Sequence, residues 1–170
     1  MANKALNIAV ITVSDTRTEE TDKSGQLLVE KVVAAGHHCC GKSIIKDDVY
    51  QLRSAVSSHI SDPAVQVVIM TGGTGFTARD NTLRAITPLL EMHIDGFGEL
   101  FRQLSYAEIG SSTIQSRAFA GLTNGTLIFC VPGSPGACRT AWDRIIAEQL
   151  DAAHKPCNFV DKLKPAINTP

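Results

Sequence analysis

Residues 68–82 read VIMTGGTGFTARDNT: an apolar run stops at a glycine cluster, and an Arg-Asp pair follows. Gly72, Gly73 and Gly75 lack Cβ, so successive N–H groups in this stretch can face one anion, and Thr71 and Thr74 add hydroxyl donors. Three glycines and two threonines exceed what a tight turn requires. A carboxylate beside phosphates is repulsive unless a cation lies between them. Asp80 therefore points to a divalent metal, Mg²⁺ by its chemistry, bridging carboxylate and phosphate oxygens. Asp80 is also placed to cap a helix over NTLRAITPLLE. Asp47-Asp48 close a second apolar run; either can cap the following helix, and the pair could help hold the same metal. Ser14-Asp15 end the first run. Asp22-x-Ser24-Gly25 opens a helix whose N-terminus attracts anions. Pro132-Gly133-Ser134-Pro135-Gly136 offers backbone N–H groups and Ser134 to a phosphate or a polar ring. No Cys-His or Ser-His-Asp arrangement accompanies these groups. The implied chemistry is positioning and charge neutralisation, without a covalent protein intermediate.

Two commoner phosphate loops do not fit. No Gly-Lys-Ser/Thr closes the glycine cluster, so the Walker pattern fails. Gly73-Thr74-Gly75-Phe76-Thr77-Ala78 matches G-x-G-x-x-A. It follows the third apolar run instead of the first, and Arg79-Asp80 stand where a helix should open apolar, which disfavours a dinucleotide-binding dehydrogenase.

Parallel strands with helical crossovers bring such groups to one edge, because ligands sit beyond the carboxyl ends of the strands. Residues 6–13, 37–46 and 65–70 read as buried strands, the continuous apolar runs suiting a sheet covered on both faces. Helical spacing follows the first two, with Ser24 as N-cap and Gly36 as stop of one helix, and Asp62-Pro63 breaking the other. Pro88 bends or ends the helix after Asp80. GFGELFRQLSYAEI is a further helix, and Asn124-Gly125 between two strand-like runs is a hairpin signal. In the last helix, Trp142, Ile145, Ile146 and Leu150 share one face. Residues 151–170 are expected as an extended, docked tail. Alternation of strand and helix predicts an α/β fold: one three-layer domain over 1–170, with a mostly parallel central sheet and an antiparallel edge hairpin.

The 170 residues suffice for a substantial core. With 44% hydrophobic and 19% charged residues the chain is globular, and a net charge of −1 without a basic block argues against nucleic acid as a partner. The amino-terminal apolar run is too short to span a bilayer and no small-residue cleavage site follows it, so no membrane partner is expected. Five cysteines without C-x-x-C spacing suit reduced thiols and a cytoplasmic location. His37-His38-Cys39-Cys40 alternate faces on a strand, so neither face supplies four zinc ligands, and packing is the better reading.

The motifs TVSD, D-x-S-G, TGGTG with Arg-Asp, GFGE, QSRA-x-AG and PGSP occur here in the order that resembles the MoaB/Mog family of molybdenum cofactor biosynthesis. The resemblance runs from about Ile8 to Phe159, and EIGSSTIQSRAFAG, ACRTAWDRIIAEQLDA and PCNF are most similar to its bacterial MoaB branch. It implies a molybdopterin-binding fold and adenylylation of molybdopterin by Mg-ATP with release of pyrophosphate, the terminal phosphate of molybdopterin attacking the α-phosphate of ATP. By the same resemblance, Asp80 and Asp47 are the catalytic and metal-linked carboxylates. Ser14, Gly72, Gly73, Thr74, Gly75 and Ser134 are substrate-binding residues, and the assembly is a homotrimer or a dimer of trimers. A non-catalytic oligomer that binds molybdopterin or a pathway partner is the alternative. Where the family often continues D-x-T-P-E-A, this chain has Asp80-Asn81-Thr82-Leu83-Arg84-Ala85: a base stands in place of an acid.

Overall fold

The computed structural model describes residues 4–165. Strands β1 (Asn7–Val13), β2 (His38–Ile45), β3 (Val67–Thr71), β4 (Met92–His93), β5 (Phe119–Thr123) and β6 (Thr126–Val131) form one sheet in the order β2-β1-β3-β6-β5-β4. β1 is parallel to both β2 and β3, and β3 is parallel to β6. β5 and β4 add an antiparallel edge. The connecting helices are α1 (Lys23–Ala34), α2 (Val49–Ser61), α3 (Thr82–Ile86) and α4 (Asp95–Ile109). A last helix, α5 (Pro135–Ala141), runs through a π turn (Trp142–Ile146) into α6 (Ala147–Gln149).

Strand alternation sorts the apolar side chains into two cores, one on each face. Leu6, Ile8 and Val10 of the β1 segment pack with Leu28, Val32, Phe97, Phe129 and Trp142. Ala9, Ile11 and Val13 pack on the other face with Leu52, Val56 and Ile86. The continuous apolar run is thus two interleaved stripes, and the three-layer α/β architecture follows. Trp142, Ile145, Ile146 and Leu150 all lie in the first core, as their spacing predicts. The Asn124-Gly125 hairpin is present, with φ 47° and 67° at its two central residues.

Three local expectations need correction. The cap of α1 is Asp22, whose Oδ1 accepts from the Gly25 N–H at 2.9 Å, not Ser24; the Ser24 hydroxyl instead donates to the Gly133 carbonyl. Asp22 is buried, and its other oxygen accepts from the Thr12 hydroxyl and pairs with Lys42. The protein's own carboxylate therefore takes the anion position at this helix start. The antiparallel edge also contains β4, two residues too short for alternation to reveal. Finally, the tail is only partly extended. It forms a 3₁₀ turn (Val160–Lys162), buries Val160, and its Lys164 Nζ donates to the Ile60 and Asp62 carbonyls at 3.0 and 2.6 Å. Residues 166–170 of that predicted tail lie outside the described residues.

All five cysteines are free. Cys130 and Cys138 are buried, which pushes both thiols up and keeps them protonated; Cys40 is exposed as a residue although partial burial of its thiol pushes it up as well, and Cys157 is exposed. A thiol titration should find Cys40 and Cys157 reactive in native protein and all five after denaturation. A pair that stays blocked after denaturation in oxidant-free material would refute the assignment. Of the described residues, no helix is long and apolar enough to cross a membrane.

Candidate active site

β1, β2, β3 and β6 are mutually parallel, so Val13, Ile45, Thr71 and Val131 all end at one edge. The loops leaving those ends carry the predicted groups. A cleft of about 520 Å³ opens there, between the TGGTG loop, the end of α4 with the 3₁₀ turn after it (Gly110–Gln115), and the PGSPG loop. Its size suits a small organic ligand. Gly72, Gly73, Thr74, Gly75, Asp80 and Ser134 all line it. Ser105, Ser112, Thr113, Gln115 and Ser116 give its far wall a neutral polar character, and Glu108 places one carboxylate there, held by the Thr140 hydroxyl at 2.8 Å. Among the described residues that line the cleft there is no cysteine and no histidine. Ser14 lies elsewhere. Its Oγ accepts from the Thr16 and Arg17 N–H groups at 3.2 and 3.0 Å, and it borders a separate 130 Å³ pocket with Thr12, Asp22 and Ser24.

The glycines serve backbone proximity more than ligand proximity. Gly73 has φ +66°, and a Cβ there would overlap the Thr82 hydroxyl and stand 3.0 Å from Asp47 Oδ2. A Cβ at Gly75 would meet Asp80 Oδ2 at 2.8 Å. The loop is thereby pressed against both carboxylates.

Asp80 does not cap α3. The residue before that helix is Asn81, whose side chain makes no capping bond. Asp80 Oδ2 instead accepts from the Thr77 N–H at 2.8 Å and the Thr77 hydroxyl at 2.7 Å, closing the ARD turn upon itself. Burial opposes its charge, but these bonds, the Gly75 N–H and the nearby Arg117 outweigh burial and hold it below the usual carboxylate range. Asp47 is the reverse case. Its Oδ1 accepts from the Asn81 N–H at 2.9 Å, so a carboxylate from the β2 end covers the start of α3. Burial, with the charges of Asp80 and Asp15, pushes the Asp47 carboxyl up against the Asn81 bonds. Asp48 is the cap of α2, accepting from the Tyr50 and Gln51 N–H groups, which sets it apart from Asp47. Asp47 does not line the cleft itself. It sits behind Gly73 and borders the next pocket.

Two sets of contacts at the site are not legible from spacing along the chain. Asp15 Oδ1 accepts from the Asp47 N–H at 3.2 Å, while Arg79 Nε and Nη2 both donate to Asp15 Oδ2. Arg117 donates to the Gly75 and Asp80 carbonyls, and its N–H donates to the Thr74 carbonyl, so it clamps the whole glycine loop. Arg117 belongs to QSRA, a motif visible in the chain, but nothing in its spacing shows that it folds onto a loop some forty residues earlier.

Neither Asp47 nor Asp80 has an ion-pair partner within 4 Å among the described residues. No group of three or more His, Cys, Asp and Glu that could hold a metal occurs among them either. Two oxygen-donor carboxylates without a cage fit Mg²⁺, which commonly binds through one or two carboxylates together with substrate phosphates.

A raised carboxyl binds its proton more tightly in the folded state than in the unfolded. Asp47 ionisation therefore lowers stability as pH rises from the unfolded value, about 3.9, through its folded value, and the loss persists above. Asp47→Asn, which can still accept from Asn81, should melt higher than wild type at pH 7, with the gap closing toward about pH 4. Thermal melts over that range check the sign, and a lower Tm at pH 7 would contradict it.

A glycine-lined cleft of small-ligand size beyond the carboxyl ends of parallel strands, without cysteine or histidine among its described lining residues, places the chain among the open α/β proteins that bind ligands at that edge. The chain belongs to the family described as "Probable molybdopterin binding domain", which it matches over residues 9–152. It is 54% identical over 157 residues to Molybdenum cofactor biosynthesis protein B of Escherichia coli (strain K12), covering 92% of each chain. To the Bacillus subtilis (strain 168) protein of the same name it is 48% identical over 142 residues, covering 83% of this chain and 84% of the other. A crystal structure of Molybdenum cofactor biosynthesis protein B matches with a TM-score of 0.85 at 47% identity, over 88% of this chain and 94% of that one.

Proposed function

We propose that the protein acts in molybdenum cofactor biosynthesis, binding molybdopterin in the strand-end cleft and transferring the adenylyl group of ATP to its terminal phosphate. The observation that carries this reading is the pairing of Asp47 and Asp80 across the glycine loop. Asp80 is held charged, Asp47 is pushed toward protonation by burial and by the charges of Asp80 and Asp15, and neither has an ion-pair partner within 4 Å among the described residues. Ionising Asp47 beside Asp80 is unfavourable, and a ligand-borne cation would offset that repulsion. When bound with ATP, Mg²⁺ would be held by Asp47 and Asp80 and would offset phosphate charge.

The chain's own residues do the rest. The Gly72–Gly75 backbone and Thr74 receive the phosphate region, and Ser134 and the PGSPG backbone face it from the β6 end. The pterin ring fits the wall of Ser105, Ser112, Gln115 and Glu108. Arg117 and the Thr77–Asp80 turn hold the loop rigid, so orientation is set before the substrates meet. A phosphate oxygen of molybdopterin supplies the nucleophile, and no side chain is required to form a covalent bond. The same reading takes the protein as cytoplasmic, where its thiols stay reduced, and as a homotrimer or a dimer of trimers, which sedimentation would establish.

The direct test is incubation of purified protein with molybdopterin and Mg-ATP, with the adenylylated product and pyrophosphate measured. Product formation supports the transferase. Tight molybdopterin binding with no turnover at saturating Mg-ATP would leave a binding module in the same pathway.

A further inference from the structure

A third cavity, of about 290 Å³, lies on the other side of Asp47 from the cleft, lined by Asp47, Asp48, Tyr50, Arg53, Arg79, Asn81 and Arg84. We propose that this arginine pocket receives the β- and γ-phosphates of ATP and holds the departing pyrophosphate, a role that rests on the adenylylation reading above.

Three guanidiniums meet there in a chain whose net charge is −1. The acids beside them are largely spoken for. Asp48 Oδ1 accepts two N–H bonds from the first turn of α2, and Asp47 Oδ1 accepts from Asn81. Arg79 gives Nε and Nη2 to Asp15. Arg53 gives Nε to the Ala85 carbonyl and Nη2 to the Arg84 carbonyl, each at 3.1 Å, and its guanidinium carbon stands 5.9 Å from the Tyr50 ring centroid. Those bonds fix its direction and tie α2 to α3. Arg84 is exposed, and among the described residues its guanidinium has no hydrogen-bond or ion-pair partner. An unpaired guanidinium beside two anchored ones suits a multiply charged phosphate chain, since the planar fork matches phosphate oxygens.

Position names the occupant. The molybdopterin phosphate is placed at the glycine loop on the cleft side, and Asp47 Oδ2 backs Gly73 of that loop. In a phosphoryl displacement the attacking and leaving oxygens lie roughly in line, on opposite sides of phosphorus. The attacking oxygen of molybdopterin bonds to the α-phosphorus of ATP. The bond from that phosphorus to the α,β-bridging oxygen breaks, and pyrophosphate leaves with the electron pair. With the nucleophile in the cleft, the leaving group belongs beyond the carboxylate wall, where the arginines are.

The test is calorimetric titration of the full-length protein with inorganic pyrophosphate, ATP and AMP, for wild type and Arg84→Glu. Arg84→Gln serves as a milder second variant if the charge reversal misfolds. Pyrophosphate and ATP should each bind about 10-fold or more weakly to the variant, while AMP, which lacks the β- and γ-phosphates, and molybdopterin keep their affinities. Equal pyrophosphate affinity in wild type and variant overturns the pocket assignment, even if adenylylation is observed. An equal loss for AMP overturns it too, since the pocket would then read the α-phosphate. If the Arg84-dependent pyrophosphate site is found in a protein that does not turn over, the polyphosphate pocket stands and the transferase reading falls.

Discussion

Asp80→Asn is expected to lower adenylylation by about two orders of magnitude, the effect of losing ~3 kcal/mol of charge stabilisation in the transition state. The side chain keeps its size and one carbonyl acceptor, so the turn it closes with the Thr77 N–H and hydroxyl can persist with weaker, uncharged bonds. The cost in stability should be about 1 kcal/mol, the difference between a charged and a neutral acceptor. Helix capping does not enter, because Asp80 does not cap α3. Molybdopterin binding should survive, since the glycine loop and PGSPG loop supply its contacts. A Mg²⁺-dependent single-turnover assay on wild type and variant, paired with a molybdopterin titration, checks this. A variant that keeps the wild-type rate would reduce Asp80 to a loop-closing residue.

Gly73→Ala should be the most damaging single methyl in the loop. Its φ of +66° costs an L-residue about 1–2 kcal/mol. The added Cβ also overlaps the hydroxyl of Thr82, a fully buried residue whose Oγ1 donates to the Gly72 carbonyl at 2.8 Å. Overpacking of that kind costs about 1–3 kcal/mol. Together the terms approach 2–5 kcal/mol, or roughly 4–20 °C in Tm for a chain of this size. Gly36→Ala separates the two terms: φ is +82° there, but nothing lies within 4 Å of a new Cβ. Melting both variants should show Gly73→Ala clearly the lower, with its molybdopterin affinity reduced because the methyl pushes Thr82 and Asp47 out of place. Equal Tm values would mean that the loop yields to the methyl without strain.

Taken alone, the TGGTG stretch makes Gly73 a residue that frees backbone N–H groups to face an anion. The tertiary structure turns the position around. The missing Cβ points into the protein, and glycine is required so that the ends of β1, β3 and the start of α3 can close together. The same holds for Asp47 and Asp48. Adjacent in sequence and equally able to cap, they part only because Asp48 precedes α2 with extended backbone and meets two free N–H groups, while Asp47 meets the start of a different helix.

The chain alone makes the strands β1, β2, β3 and β6, the hairpin at Asn124-Gly125 and the apolar face of the last helix legible, because hydrophobic period and turn chemistry are local. It also determined that Gly72, Gly73, Thr74, Gly75, Asp80 and Ser134 would gather at one edge, since parallel strands must all end on the same side. The rest came with packing: that Ser14 faces a different pocket, that Asp15 supports Asp47, that Arg117 clamps the loop, and that Arg53, Arg79 and Arg84 share a cavity. Those contacts join residues tens of positions apart through side chains whose direction depends on the packing of α2 against α3 and on the turn before β5. No spacing along the chain encodes that geometry. It arises when both faces of the sheet are covered and the buried polar groups find partners.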